Sequence, residues 1–130
     1  MLVGVVVICI DNERAVLDGM LQLLSGWGCH VVTASSREQA LASLDGSHAR
    51  PSVILADYHL DAGTGLDAIA AVRAKIGFAV PAVVISADNS PEVLGLLRDA
   101  GVPLLRKPLK AAALRALIAH YAKSQRVAAE

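Results

Sequence analysis

The chain contains few aromatic residues and no excess of charge of either sign. Phenylalanine, tyrosine and tryptophan make up 3 % of the 130 residues, and 12 Lys and Arg balance 12 Asp and Glu. Nucleic-acid binding relies on a basic surface and, for single strands, on aromatic side chains that stack on bases. The composition therefore argues against a protein that binds nucleic acid directly.

Cysteine is also scarce, and no apolar run is long enough to cross a membrane. Cys9 and Cys29 lie in apolar surroundings, which is typical of buried thiols in a reducing compartment. The apolar start, residues 2–10, has no basic segment before it and about half the length of a membrane helix. We therefore expect a cytoplasmic protein without membrane contact.

Apolar residues are abundant, and their spacing alternates along the chain. Hydrophobic residues make up 55 % and charged residues 18 %, which is enough apolar material for one core in one domain. Short β-branched runs alternate with segments of helical period. The pattern predicts strands at 3–10, 29–34, 53–56, 82–85 and 103–105, with helices at 13–27, 90–100 and 110–123 and from the cap residues Ser36 and Thr64. Residues 124–130 carry no pattern and are expected to fray.

Five strand–helix units with short connections predict an α/β fold with a doubly wound parallel sheet. Parallel strands need crossover connections, and right-handed crossovers place helices on both faces of the sheet. Ligands of such open sheets bind beyond the carboxyl ends of the strands. The polar residues at those ends are therefore the candidates for chemistry.

A polar side chain stands at the carboxyl end of four predicted strands. Asp11 and Asn12 follow the first strand, Asp57 ends the third, Ser86 follows the fourth and Lys107 follows the fifth. Clustered carboxylates repel one another unless a cation lies between them, and oxygen ligands suit Mg²⁺. A carboxylate can attack phosphorus, while a lysine and a hydroxyl can hold phosphoryl oxygens. The pattern predicts a site for phosphoryl transfer with Mg²⁺.

The same residues, in the same order, resemble the receiver domains of two-component signalling. The resemblance covers residues 1–123 and implies a flavodoxin-like (βα)5 fold with strand order 2-1-3-4-5. It also implies a phosphoacceptor domain rather than an enzyme, in which Asp57 takes a phosphoryl group from phosphohistidine. The implied partner is a histidine kinase or a histidine phosphotransfer protein.

The resemblance assigns further roles. Mg²⁺ would be held by Asp11, Asn12, Asp57 and the backbone carbonyl of His59, and the phosphoryl oxygens by Lys107 and Ser86. Asp88 would tune the rate of dephosphorylation, and Leu104 would tune the coupling of the phosphorylated site to the output of the domain. The family also implies a cis bond between Lys107 and Pro108, and a homodimer through the face formed by the fourth helix, the fifth strand and the fifth helix. Residues 9–13 and 104–110 resemble receivers at the C-terminus of hybrid histidine kinases.

Two departures from the family pattern leave alternatives open. Asn12 stands where the family has a second acid, and Leu104 stands where it has an aromatic residue. Both would suit an interaction module that keeps the fold without being phosphorylated. A phosphohydrolase with an aspartate nucleophile is less well supported, since that class needs its second aspartate where Glu13 lies. Glu13 itself is read as a first-turn helix carboxylate rather than a ligand.

The first helix carries more apolar residues than one buried stripe needs. The helical period predicts that five of them face the sheet: Val16, Met20, Leu23, Leu24 and Trp27. Leu17 and Leu21 are then expected on an exposed flank, where they would dock against a helix of the phosphohistidine donor.

Overall fold

A computed structural model describes residues 1–46 and 50–129 and shows five strands that alternate with five helices. The elements are β1 (Val6–Ile10), α1 (Arg14–Gly26), β2 (His30–Ala34), α2 (Arg37–Ser43), β3 (Val53–Asp57), α3 (Gly65–Ile76), β4 (Ala82–Ser86), α4 (Pro91–Ala100), β5 (Leu104–Arg106) and α5 (Ala111–Ala129).

All strand pairs are parallel, and the sheet has the order β2-β1-β3-β4-β5. The predicted α/β fold and its strand order are therefore confirmed. The strands pair in a register that places the carboxyl ends of β1, β3 and β4 side by side. No helix in the described part of the chain combines the length and apolar character of a membrane span.

Two apolar cores lie on opposite faces of the sheet. The strands are largely apolar, yet alternate residues face opposite cores, since side chains alternate along a strand. Ile8, Ile54 and Val84 face the core that α2, α3 and α4 cover. Val7, Leu55 and Val83 face the core that α1 and α5 cover. This double cover explains why the sequence shows unbroken apolar runs.

Three helices begin at the capping residues that the sequence indicates. Each hydroxyl oxygen accepts a hydrogen bond from a backbone N–H in the first turn, in the pairs Ser36–Gln39, Thr64–Asp67 and Ser90–Val93. The Asp67 carboxylate in turn accepts the N–H of Thr64, which completes a capping box at the start of α3.

The buried stripe of α1 differs from the predicted one. The buried residues are Leu17, Met20 and Leu24, whereas Val16 is only half-buried. The prediction that Leu17 is exposed is wrong: its side chain is 1 % accessible, because it packs between the sheet and α5. Leu21 is 41 % exposed, as expected. The apolar residues of α1 fit two neighbouring rotations of the helix about its axis. The helical period alone therefore could not determine which side of the helix is buried.

The ends of two elements also differ from the prediction. β1 begins at Val6 rather than at residue 3, because Gly4 forms part of a turn with a positive φ of 84°. α5 continues to Ala129, beyond the expected end at Lys123. Glu130, the last residue of the predicted tail, lies outside the described residues.

Both cysteines are buried in the core on the α1 side of the sheet. Burial, together with the nearby Cys29 and Asp11, raises the pKa of the Cys9 thiol to about 12. A thiol that stays protonated at neutral pH is a poor nucleophile, so Cys9 acts as an apolar core residue.

Candidate functional site

The carboxylate of Asp57 and the ammonium group of Lys107 face each other at the carboxyl ends of β3 and β5. Lys107 Nζ lies 3.6 Å from Asp57 Oδ1, and the Asp57 side chain is only 11 % exposed. At this distance the two groups attract each other without a short hydrogen bond. The lysine therefore offsets negative charge at the end of β3 while the carboxylate oxygens stay available for another ligand.

Asp11 brings a second carboxylate to the same edge of the sheet. Its Oδ1 accepts a hydrogen bond of 2.8 Å from the N–H of Glu13, and the residue is buried. Burial raises the pKa of Asp11 and the charge of Asp57 raises it further, while the Glu13 N–H and Lys107 lower it. Two carboxylates with one nearby lysine leave net negative charge in a partly desolvated place, which favours a bound cation.

Ser86 lies at the end of β4 between this acidic pair and the β4–α4 loop. Its side chain is buried, and its Oγ accepts a hydrogen bond of 3.0 Å from the N–H of Asp88. The backbone carbonyl of Ser86 accepts the N–H of Lys107 at 3.1 Å. The bond between Lys107 and Pro108 is cis, as predicted.

A hydrogen bond between two side chains crosses the rim of the site. His59 Nε2 lies 2.8 Å from Asp88 Oδ2, so the pair joins the β3–α3 loop to the β4–α4 loop. Asp88 Oδ1 accepts the N–H of Ser90. This backbone hydrogen bond and then the His59 contact lower the pKa of Asp88. The loop that carries Ser86 is therefore tied to the segment that follows Asp57.

Asn12 and Leu104, the two departures from the family pattern, have different surroundings. Asn12 is half-buried, and its Nδ2 donates a hydrogen bond of 3.0 Å to Asp61 Oδ1 in the β3–α3 loop. Leu104 is half-buried at the start of β5 and packs against the core on the α2–α4 side. Asn12 therefore belongs to the polar edge, whereas Leu104 acts as a core residue of the edge strand.

A cavity of about 240 Å³ opens beside the acidic pair. Asp11, Asp57 and Lys107 line one end of it, and most of the remaining wall is apolar: Cys9, Ile10, Val16, Leu17, Met20, Leu55, Ile85, Pro108 and Leu109. An apolar wall lowers the local dielectric constant and so strengthens the interaction of charges at its edge. Lys107 is the one cationic residue among the described residues that line this cavity.

Sequence reasoning missed Gly65, which supports the backbone of Asp57. A Cβ atom at this position would collide with the carbonyl oxygen of Asp57, and Gly65 donates its N–H to the carbonyl of Tyr58 at 2.8 Å. A glycine directly after the capping residue Thr64 is the signal that could have revealed this close approach. Glu13, by contrast, is exposed and serves the site through its N–H.

The structure thus brings together Asp11, Asp57, Ser86 and Lys107 from four strand ends, with Asn12, His59 and Asp88 around them. Leu17 lies beneath the site in the cavity wall, and Leu21 lies outside it on α1. The fold and the site define a doubly wound α/β protein with an acidic, lysine-containing pocket at the carboxyl edge of its sheet.

The chain belongs to the response regulator receiver domain family, whose model matches residues 7–119. A comparison with curated protein sequences finds no significant match.

Solved structures of receivers share the fold. A response regulator receiver domain protein from Clostridium thermocellum is 22 % identical, with a TM-score of 0.83 over 95 % of this chain and 98 % of that one. The chemotaxis protein CheY4 of Vibrio cholerae is 24 % identical, with a TM-score of 0.77 over 90 % and 98 % of the two chains. A two-component response regulator from Clostridium difficile is 18 % identical, with a TM-score of 0.80 over 92 % and 96 %.

Proposed function

We propose that this receiver domain accepts a phosphoryl group on Asp57 from the phosphohistidine of a histidine kinase or a histidine phosphotransfer protein. The observation that carries the proposal is the position of Lys107 Nζ, 3.6 Å from the mostly buried carboxylate of Asp57, beside the second buried acid Asp11. A nucleophile and a cation for the transferred group are thus held at one strand edge.

In the proposed reaction an Asp57 carboxylate oxygen attacks phosphorus in line with the leaving imidazole nitrogen. The new O–P bond forms as the P–N bond breaks, and the electron pair leaves with the histidine of the partner. Lys107 offsets negative charge on the phosphoryl oxygens. The Ser86 hydroxyl, whose Oγ accepts the Asp88 N–H, can turn its proton toward another phosphoryl oxygen.

The donor atoms at this edge fit Mg²⁺. The described residues contain no group of three or more His, Cys, Asp and Glu suited to a metal, but Mg²⁺ keeps several waters and needs only one or two carboxylates. Asp11 and Asp57 supply these, and the amide oxygen of Asn12 and the backbone carbonyl of His59 complete the proposed ligand set. When bound, the ion would supply positive charge that offsets the repulsion between carboxylates and phosphoryl group.

The rim residues have a proposed role in the lifetime of the phosphorylated state. His59 and Asp88 form a pair above the pocket, two residues after Asp57 and Ser86 respectively. We propose that this pair limits the access of the water that hydrolyses the acyl phosphate. Leu104, in the proposal, couples the site to the output surface through its packing at the start of β5.

The proposal includes a cytoplasmic location and a role as phosphoacceptor that assists its own phosphorylation and dephosphorylation. It also includes a homodimer through α4, β5 and α5. A place at the C-terminus of a hybrid histidine kinase is the proposed larger context.

Incubation with acetyl phosphate and Mg²⁺, followed by intact mass spectrometry, tests the function. We expect one added phosphoryl group per chain, absent in Asp57→Asn and present in the control Asp99→Asn, which alters an exposed carboxylate on α4. Loss of the group in alkaline hydroxylamine identifies an acyl phosphate.

Each other outcome selects a different function. No phosphoryl group on the wild-type chain, with or without a phosphohistidine donor, would show an interaction module that is not phosphorylated. Repeated turnover of a generic phosphate ester would show the hydrolase alternative. Phosphorylation that persists in Asp57→Asn would show that another residue accepts the phosphoryl group.

A further inference from the structure

The hydrogen bond between Asn12 and Asp61 joins the first strand end to the β3–α3 loop. Asn12 Nδ2 lies 3.0 Å from Asp61 Oδ1, and the two residues are 49 positions apart in the sequence. Asp61 is exposed, and this contact is the hydrogen bond that its side chain makes within the described residues. The structural role of the Asp61 side chain is therefore its hydrogen bond with Asn12.

The chemistry of the pair determines which end of the amide faces Asp61. A carboxylate oxygen accepts hydrogen bonds, so the contact requires the NH₂ end of the Asn12 amide. The amide oxygen is then turned away from Asp61. It accepts no hydrogen bond from any residue that the structure describes. One strong acceptor at the acidic edge is thus left available for a ligand.

We infer that Asp61 is a positioning residue that fixes the Asn12 amide with its oxygen available to the metal site. The inference rests on the proposed function, because it concerns the Mg²⁺ ligands of that site. An asparagine amide has an attractive oxygen end and a repulsive NH₂ end toward a cation, whereas the two oxygens of an aspartate are equivalent. An asparagine at this position therefore needs a partner that selects its orientation, and Asp61 provides it.

The orientation effect can be separated from the charge of Asp61 by two substitutions. Asp61→Asn removes the charge but keeps an oxygen that can accept from Asn12 Nδ2, whereas Asp61→Ala removes both. If orientation matters, Mg²⁺ should bind about threefold more weakly to Asp61→Ala than to Asp61→Asn, the factor expected for one modest net hydrogen bond. If only charge matters, the two variants should bind equally.

The matched control repeats both substitutions in the Asn12→Asp background. An aspartate at position 12 offers the metal an oxygen in either orientation, so there is no orientation for Asp61 to select. The difference between Ala and Asn at position 61 should therefore disappear in this background.

Isothermal titration with MgCl₂ at constant ionic strength measures the four affinities and that of the wild-type chain. Urea unfolding in EDTA measures the stability of each variant and shows that all of them are folded under the titration conditions, so that a difference in Mg²⁺ affinity is a difference at the site. Equal Mg²⁺ affinity of the two variants that retain Asn12, or an undiminished difference in the Asn12→Asp background, would overturn the inference.

Failure of the proposed function gives a different result. No Mg²⁺ binding to the wild-type chain would overturn both the metal site and the role of Asp61. Phosphorylation by acetyl phosphate without the expected affinity difference would leave the function standing and reject the role of Asp61 alone.

Discussion

At the scale of single residues, the surroundings of Asp11 disfavour its charged form. Asp11 is buried, accepts one backbone hydrogen bond, and has Asp57 as a neighbour of the same charge. Burial and this neighbour raise the pKa of Asp11, so the ionised form weakens the fold at neutral pH. Such strain is common at functional sites, where stability is lost in exchange for a binding surface.

We predict that Asp11→Asn stabilises the metal-free protein at pH 7, within the range of roughly 0.5–2 kcal/mol that single stabilising substitutions give. The raised pKa means that the folded state binds the Asp11 proton more tightly than the unfolded chain does. The contribution of Asp11 to stability is therefore complete below the ordinary pKa of 3.8 and is lost as the pH rises through the raised value.

Urea unfolding in EDTA, monitored through Trp27 fluorescence between pH 4 and pH 8, measures this effect. The gain from Asp11→Asn should be largest near neutral pH and should decline toward pH 4. Asp99→Asn, at an exposed position on α4, should give no comparable gain. A gain that does not change with pH would show that packing, and not charge, is responsible.

At the scale of elements, two leucines of α1 have different roles, since Leu17 belongs to the core and Leu21 to the surface. Leu17 is fully buried and lines the cavity beneath Asp57, whereas Leu21 is 41 % exposed on the outer side. Only Leu21 can contact a partner without unfolding the helix. The docking surface that the sequence suggested is therefore reduced to Leu21 and the exposed residues beside it.

We predict that Leu21→Glu slows phosphotransfer from the cognate phosphohistidine protein by about fivefold or more, the effect of losing a contact worth over 1 kcal/mol in an interface. Phosphorylation by acetyl phosphate, which needs no docking, should be unchanged. The measurement is the rate of transfer from the phosphorylated donor, compared with Gln22→Glu, which places the same charge at the neighbouring exposed position.

Equal slowing by Leu21→Glu and Gln22→Glu would show a general charge effect and reject docking at Leu21. Leu17→Ala separates the two roles of the helix: it should lower the free energy of unfolding by about 2–5 kcal/mol, as buried leucines do. Its phosphotransfer defect should extend to acetyl phosphate, because Leu17 supports the wall beside the pocket.

At the scale of the whole molecule, the site links segments that are distant in the sequence. Asp11, Asp57 and Lys107 lie at the ends of β1, β3 and β5, and β4 separates the last two strands, so the three residues meet only when the sheet is complete. A ligand that binds all of them binds the folded state alone. Binding must therefore stabilise the entire domain.

We predict that Mg²⁺ at 100 times its dissociation constant raises the free energy of unfolding by about 2.7 kcal/mol. Urea unfolding with MgCl₂, compared with NaCl at equal ionic strength, measures the increase. Asp57→Asn should lose most of it. Asp18→Asn, which removes an exposed α1 carboxylate that lies 3.9 Å from the Arg14 side chain, should keep it. The same increase in wild type and Asp57→Asn would place the ion elsewhere.

Most of the secondary structure and of the candidate site could be predicted from the sequence, because the signals lie in residues that are close together in the chain. Strand and helix periods, the capping residues Ser36, Thr64 and Ser90, and the polar residues that end apolar runs are all properties of neighbouring residues. In a parallel sheet every carboxyl end lies at one edge, so Asp57, Lys107 and their neighbours could be placed together before any distance was known.

The tertiary structure decided what depends on distant segments. The rotation of α1, which buries Leu17 and exposes Leu21, follows from packing against α5 and the sheet, because the apolar period fits two phases. The support of Asp57 by Gly65 needs two backbones in contact. The bond between Asn12 and Asp61 spans 49 residues and follows no pattern of spacing, so only the folded chain could join them.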